Sequence, residues 1–357
     1  MPIQRPSMLL LLVFQCMLQL VQSSSNFTDQ SSLIAFKSEL ISSGQMKRSW
    51  LPVTGPRQQA FATGLGSHAA AAGKDFSGSL PLEISHLRRL RILQLSFNQL
   101  EGSIPPALHN CRNLREIHLS NNRLTGAIIP SISDNMSSLE ILNLESNGLT
   151  GQFPLVVFNI SSLTEIGIRK NQISGTLPMD LCSRCPNLQG IYLSNNEFSG
   201  RLPSQMNSCR ELAVLALSYN KFDGNIPTGF GGLEKLQVLQ IGGNNLIGNI
   251  PPSITNLSRL NVFAIQENNI EGSIPGDLWR LPSLSFLNFE MNLLTGVVPQ
   301  EFFNMSSLQT ISFQNNSLSG NLPADVGFFL ALIFKHLLWV GTNSVVVFHH
   351  LFQIVPS

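Results

Sequence analysis

The chain has 357 residues, of which 43% are hydrophobic and only 12% charged, and its formal net charge at pH 7 is +1. That balance carries no nucleic-acid footprint and no acidic tail, and it excludes long-range electrostatic steering as the main function. Two or three compact domains are the ordinary expectation at this length, unless the chain is built from repeats.

The chain starts "MPIQRPSMLLLLVFQCMLQLVQSSSNFTD". Arg5 precedes an apolar stretch from Met8 to Leu20, and Val21 and Ser23 fit the small-residue positions before a cleavage site. Residues 1–24 therefore read as a secretory signal peptide, cut near Ser23 or Ser24. In residues 25–50, "FTDQSSLIAFKSEL" sets Leu33, Phe36 and Leu40 along one helical stripe. Residues 51–75 carry neither cysteine nor a regular leucine pattern, and regularity returns at "FSGSLP" from Phe76.

From there the sequence repeats. "LQLSFN", "IHLSNN", "LNLESN", "IGIRKN", "IYLSNN", "LALSYN", "LQIGGN", "FAIQEN", "FLNFEMN" and "ISFQNN" end at Asn98, Asn122, Asn147, Asn171, Asn196, Asn220, Asn244, Asn268, Asn292 and Asn316, at steps of 24 residues with two steps of 25. A second motif keeps the same beat, from "GSIP" at Gly102 to "GNLP" at Gly320. Leu93 and Leu95 point to one side of a short strand and Gln94 to the other. Each coil buries only half of its strand, so stacked coils must join their leucines into one core. The asparagine amide suits the inward turn, where it can satisfy backbone groups that would otherwise be buried without partners. Glycine permits the tight bend of the return, and proline withholds a donor where no regular ladder continues.

The template seen in "LRRLRILQLSFNQLEGSIP", Leu87 to Pro105, resembles the plant-specific class of leucine-rich repeat, as in the ectodomains of plant receptor-like kinases and receptor-like proteins. The resemblance runs over residues 76–325, about ten repeats. It implies an α/β leucine-rich-repeat solenoid wound as a right-handed superhelix, with short parallel strands on the concave face and turns and 3-10 segments on the convex face. It also makes residues 25–50 a counterpart of the family's N-terminal capping helix. Family members follow that helix with a tryptophan and a cysteine pair. Here Trp50 is present and the cysteines are not, so 51–75 reads as an atypical segment in which the pattern is lost.

Residues 326–357 form an apolar tail. An eleventh coil would bring its asparagine near position 340, which is Val340, so no eleventh coil is expected. Lys335 and His336 split the apolar run, and Leu337 to Phe348 is shorter than the roughly 20 residues that a bilayer requires. The tail therefore reads as foreign to the repeats, through truncation or mis-splicing, or as a weak membrane segment in 326–348. No glycine-rich phosphate loop, H-R-D or D-F-G motif occurs, and no nucleophile, base and acid stand at interpretable spacing. Neither enzymatic activity nor a cofactor is expected.

Cys111, Cys185 and Cys209 each stand three residues before the first leucine of their coil, at one equivalent core position. Buried thiols are the plain expectation. In a secreted chain Cys185 and Cys209, in adjacent coils roughly 5 Å apart, form a candidate disulfide, with Cys182 a competitor for the same partner. The Cys182/Cys185 pair lacks further ligands for a metal site. Six sequons occur, at Asn26, Asn135, Asn159, Asn256, Asn304 and Asn315. Asn135, Asn159, Asn256 and Asn304 share one frame before a strand and are the expected glycosylation sites, whereas Asn315 lies beside the strand.

The variable strand positions divide the concave face. Coils 1–4 carry Arg91, Arg115, Glu116, His118, Glu140, Glu145, Glu165, Arg169 and Lys170, whereas coils 5–10 show only Glu267 and Glu290 as charges, together with Tyr192, Tyr219, Phe286 and Met291. Most such residues can be plain solvated surface. Read functionally, Arg91, Glu116, His118, Glu140, Arg169, Lys170, Tyr192, Tyr219 and Phe286 would contact an elongated polypeptide, with Arg169, Lys170, Tyr192 and Tyr219 as its central patch. The resemblance implies a secreted or cell-surface recognition module for a peptide or protein ligand in defence or developmental signalling. A co-receptor or full-length receptor kinase would be a further partner, with no nucleic acid, and the membrane would be met only through the tail. The alternative is a secreted enzyme inhibitor similar to the polygalacturonase-inhibiting proteins.

Overall fold

The computed structural model describes residues 68–70, 76–133, 135–298, 305–319 and 336–338. Residues 1–50, expected to hold a signal peptide and a capping helix, and nearly all of the tail lie outside the described residues. The chain divides into two compact units, 1–163 with 170–173, and 164–169 with 174–357.

In the first unit the short strands Ile92–Gln94, Glu116–His118 and Ile141–Asn143 pair in parallel, with Leu93, Ile117 and Leu142 side by side. All three central residues are buried. The second unit repeats the arrangement with Glu165–Gly167, Gly190–Tyr192, Val214–Ala216, Val238–Gln240, Val262–Ala264, Phe286–Asn288 and Thr310–Ser312, in continuous parallel register. Aromatic side chains pack against one another in its core. Phe198 stacks on Phe222 at 6.3 Å, and Phe289 packs between Phe263 at 5.0 Å and Phe313 at 6.0 Å.

Strand pairing reaches past both ends of the leucine pattern. His68–Ala70 pairs with Ile92–Gln94, and His336–Leu338 pairs with Thr310–Ser312. His336–Leu338 is thus a strand in the region where the missing asparagine leaves no eleventh coil expected. Parallel pairing needs backbone donors and acceptors rather than leucines, so a strand can be templated by its neighbour after the side-chain pattern has stopped.

A second parallel ladder follows each asparagine, where the sequence suggests only turns. Gln99–Gly102, Arg123–Ala127 and Gly148–Gln152 belong to it in the first unit, and Glu197–Arg201 through Ser317–Ser319 in the second. One side chain per strand turns inward, as Leu124, Phe222 and Leu294 do, and the residues on either side stay exposed. Gly272 on this ladder has φ 74°, and an added Cβ would meet Asn249 Oδ1 at 2.6 Å, so only glycine fits there. The prolines of the second motif then start the 3-10 segments. Pro105, Pro227 and Pro251, all extended, precede Pro106–Asn110, Thr228–Gly232 and Pro252–Asn256. Fixed φ and the missing N–H suit a residue that opens a turn without belonging to a ladder.

The ten asparagines stand where the strand ends. Asn220 shows the pattern: Nδ2 donates to the carbonyls of Leu217 and Leu193 at 3.0 Å each and more weakly to Ser218, and Oδ1 accepts from the Phe198 N–H at 2.9 Å. One amide thus ties its own turn to the preceding coil. Asn244, Asn268, Asn292 and Asn316 make the same set. Asn98, Asn122, Asn147, Asn171 and Asn196 occupy the equivalent place in their coils.

The disulfide joins Cys182, rather than Cys185, to Cys209, with 4.8 Å between the Cα atoms. Residues at equivalent positions of stacked coils present their Cβ atoms side by side, whereas a disulfide needs them to converge. The extra residue of this coil winds Leu181–Arg184 into a helical turn that carries Cys182 to its partner. Cys185 remains a buried thiol, its pKa pushed up to about 12 by burial against the smaller opposing effect of Arg184.

Candidate ligand-binding face

Immediately before each asparagine the backbone enters the left-handed region, at φ between 51 and 60° for Phe97, Asn121, Ser146, Lys170, Asn195, Tyr219, Glu267, Met291 and Asn315. This turns the side chain out onto the strand face. Phe97, Tyr219 and Met291 are accordingly large apolar or aromatic groups in solvent, 64%, 43% and 50% exposed. Together with the outward strand positions they make up the candidate face.

In the first unit two contacts link ionisable side chains of the face. Arg115 pairs with Glu140 at 3.3 Å, and His118 Nε2 meets Glu116 Oε2 at 3.0 Å. Arg91 is exposed beside this group, and its carbonyl accepts the N–H groups of Arg115 and Glu116. Lys170 is exposed at the left-handed position of its coil.

The second unit is built differently. Val214, Val238, Val262 and Phe286 stand in register on four consecutive strands, all half-buried, with Ala216 and Ala264 in the neighbouring column. Parallel pairing at constant register sets these side chains about 4.8 Å apart, so they form a continuous apolar strip. Tyr192 closes one end: its ring folds over Gly190, where an added Cβ would lie 2.6 Å from the ring. Tyr219 crosses a whole coil. Its ring lies over Gly243, and its hydroxyl reaches Glu267 Oε1 at 3.2 Å. The side chain of Gln266 covers the adjacent Gly242. Glu290 accepts a hydrogen bond from Ser312 Oγ at 2.8 Å. Arg169 is half-buried in this unit, and its coil is joined to the next by the Ile168 N–H donating to the Tyr192 carbonyl.

Of the residues singled out in the sequence, the structure thus brings together Glu116 with His118, Glu140 with Arg115, and Phe286 with the valine column. Gly190, Gly242, Gly243, Val214, Val238, Val262 and Gln266 belong to the face although the sequence reading passes over them. The valine column was legible at the 24-residue period. The glycines were not, because their role is to make room for side chains of other coils. Of the sequons, Asn159 and Asn256 are exposed at the last residues of 3-10 segments, away from the strands. Asn135 is half-exposed, and Asn304 lies outside the described residues.

Comparison with known proteins agrees with this architecture. Leucine-rich-repeat family models match residues 88–128, 138–160, 186–246, 236–294 and 307–329. A search of curated proteins returned no significant match. Among solved structures, the ectodomain of the membrane receptor kinase GASSHO1/SCHENGEN3 from Arabidopsis thaliana, in complex with CASPARIAN STRIP INTEGRITY FACTOR 2, is similar with TM-score 0.69 and 29% identity, over 76% of this chain and 35% of that one. The plant peptide hormone receptor RGFR1 in complex with RGF2 gives TM-score 0.64 and 30% identity, over 74% of this chain and 50% of that one. The Arabidopsis receptor kinase HAESA ectodomain, with an extended IDA peptide hormone, gives 0.60 and 27%, over 76% and 53%. The chain spans about half or less of the length of the first two. The chain belongs to the leucine-rich-repeat family, and its repeats are similar to those of plant receptor-kinase ectodomains.

Proposed function

We propose that this chain is a non-catalytic extracellular recognition module, and that it binds an extended peptide or protein segment along the strand face of its second unit. The observation that carries this reading is the strip Val214, Val238, Val262 and Phe286, half-buried in register and rimmed by Tyr192, Tyr219 and Met291. An apolar strip with aromatic edges is the composition that anchors polypeptide ligands. The similar ectodomains solved with peptide hormones support the same assignment. Signalling, in defence or development, then runs through a co-receptor or a receptor kinase at the plasma membrane.

The test uses the full chain, secreted from a eukaryotic host, against a random dodecapeptide library displayed on phage. Peptides are enriched by the wild type and lost by the variant Val238→Asp/Val262→Asp, whose folding is checked by its melting curve. Absence of enrichment, or enrichment indifferent to the double substitution, overturns the reading. Inhibition of a fungal polygalacturonase by the same preparation would favour the enzyme-inhibitor alternative.

A further inference from the structure

Outward strand positions in coils 5–10 carry two charges, Glu267 and Glu290, and both are acidic. They belong to neighbouring coils joined at this point by the Glu267 N–H donating to the Glu290 carbonyl at 2.9 Å. None of the ion pairs among the described residues involves either carboxylate; their side-chain partners are the hydroxyls of Tyr219 and Ser312. Gln266 shares an outward column with Glu290 and is 9% exposed. Its Oε1 is buried without a hydrogen-bond partner. A buried amide oxygen left unpaired is costly, so a donor that reaches it is favoured.

These groups share one chemistry. Two carboxylates and an orphaned amide oxygen are all acceptors, and the Tyr219 ring, resting on Gly243, turns its other face to solvent, where it can receive a cation. Resting on the peptide-binding reading above, we infer that the second unit contains a subsite for a cationic group of the ligand, a Lys or Arg side chain or a free N-terminal ammonium. It lies at Tyr219, Gln266 and Glu267, beside the apolar strip, and Glu290, turned towards Ser312 of the next coil, adds negative charge at longer range. The glycines at 242 and 243 are what let Gln266 and Tyr219 lie across the coil between them. An extended ligand would thus place apolar residues on the valines and phenylalanine and one positive charge at this rim.

The same dodecapeptide library decides the matter. Enriched sequences are expected to hold Lys or Arg, or the free amine, at one fixed offset from an apolar residue. The conservative variant Glu267→Gln/Glu290→Gln keeps the acceptor for Ser312 and should weaken such peptides by about tenfold or more, as for loss of charge-assisted hydrogen bonds. Gln266→Lys, which supplies an internal cation, should weaken them similarly without lowering the melting temperature. Peptides that lack a basic group, bind the Gln variant unchanged, and still fail on Val238→Asp would overturn the cation subsite and leave the peptide-binding face standing. A library without any enriched peptide would overturn both.

Discussion

Coils 1–3 and coils 5–10 are stamped from one backbone template, yet their strand faces differ in whether their charges are already answered. In the first group Arg115 has Glu140, and His118 has Glu116. In the second, Glu267 and Glu290 meet only hydroxyls, beside an unbroken apolar strip. A charge that has a partner on its own surface offers a ligand little, because breaking the pair offsets what the new contact contributes. The sparsely charged face is therefore the better candidate, although the charged one attracts attention in the sequence.

The largest effect belongs to the framework shared by both groups. Asn220→Leu strands the carbonyls of Leu193 and Leu217 and the N–H of Phe198, and should lower stability by about 4 kcal/mol in urea denaturation. The half-buried Asn147 should cost less when changed in the same way, since water can reach its partners. Equal losses would mean that the two groups do not differ in how tightly their turns are sealed.

Next comes the staple of the second unit. Cys182→Ser opens the bridge to Cys209 and should cost about 3 kcal/mol, seen as a lower denaturation midpoint that reducing agent does not lower further. Cys185 supplies a pH test. Its thiol pKa is raised by burial, so the neutral form is the folded form. The stabilisation is complete below the unfolded thiol's pKa of about 8.5 and is lost as pH rises from there towards about 12. Stability measured between pH 8 and 10 should therefore fall with pH, and the fall should shrink in Cys185→Ala.

At the level of binding, Val238→Asp should weaken any ligand of the strip by roughly 100-fold, whereas Ile141→Asp, the equivalent position in the first unit, should leave its affinity unchanged in a titration. Comparable losses from both would erase the distinction between the faces. Smallest of all is Arg115→Ala. With both partners well exposed, it should change stability by less than about 1 kcal/mol, and a larger loss would show that the charged group does more than pair with itself.

Much of the architecture was legible because it is periodic. Leu93, Ile117 and Leu142 announce a shared core through spacing alone, and the asparagines mark every turn. The second ladder was less visible because one inward residue per strand, such as Phe222, is too short a pattern to separate from a bend. The disulfide escaped because equivalence of position suggested Cys185, and convergence of Cβ atoms chose Cys182. At the candidate site Tyr219 and Phe286 stood out as residue types, but the glycines that let Tyr219 span a coil did not.

The repeat, its register and the column in which each side chain stands follow from periodicity, because coils of 24 or 25 residues stacked at constant spacing convert position in the period into position in space. Tertiary structure alone decided which charges are mutually paired, which cysteine closes the bridge and which oxygen is left without a donor. Those outcomes depend on the reach and direction of side chains from different coils, and a distance of an ångström or two settles them.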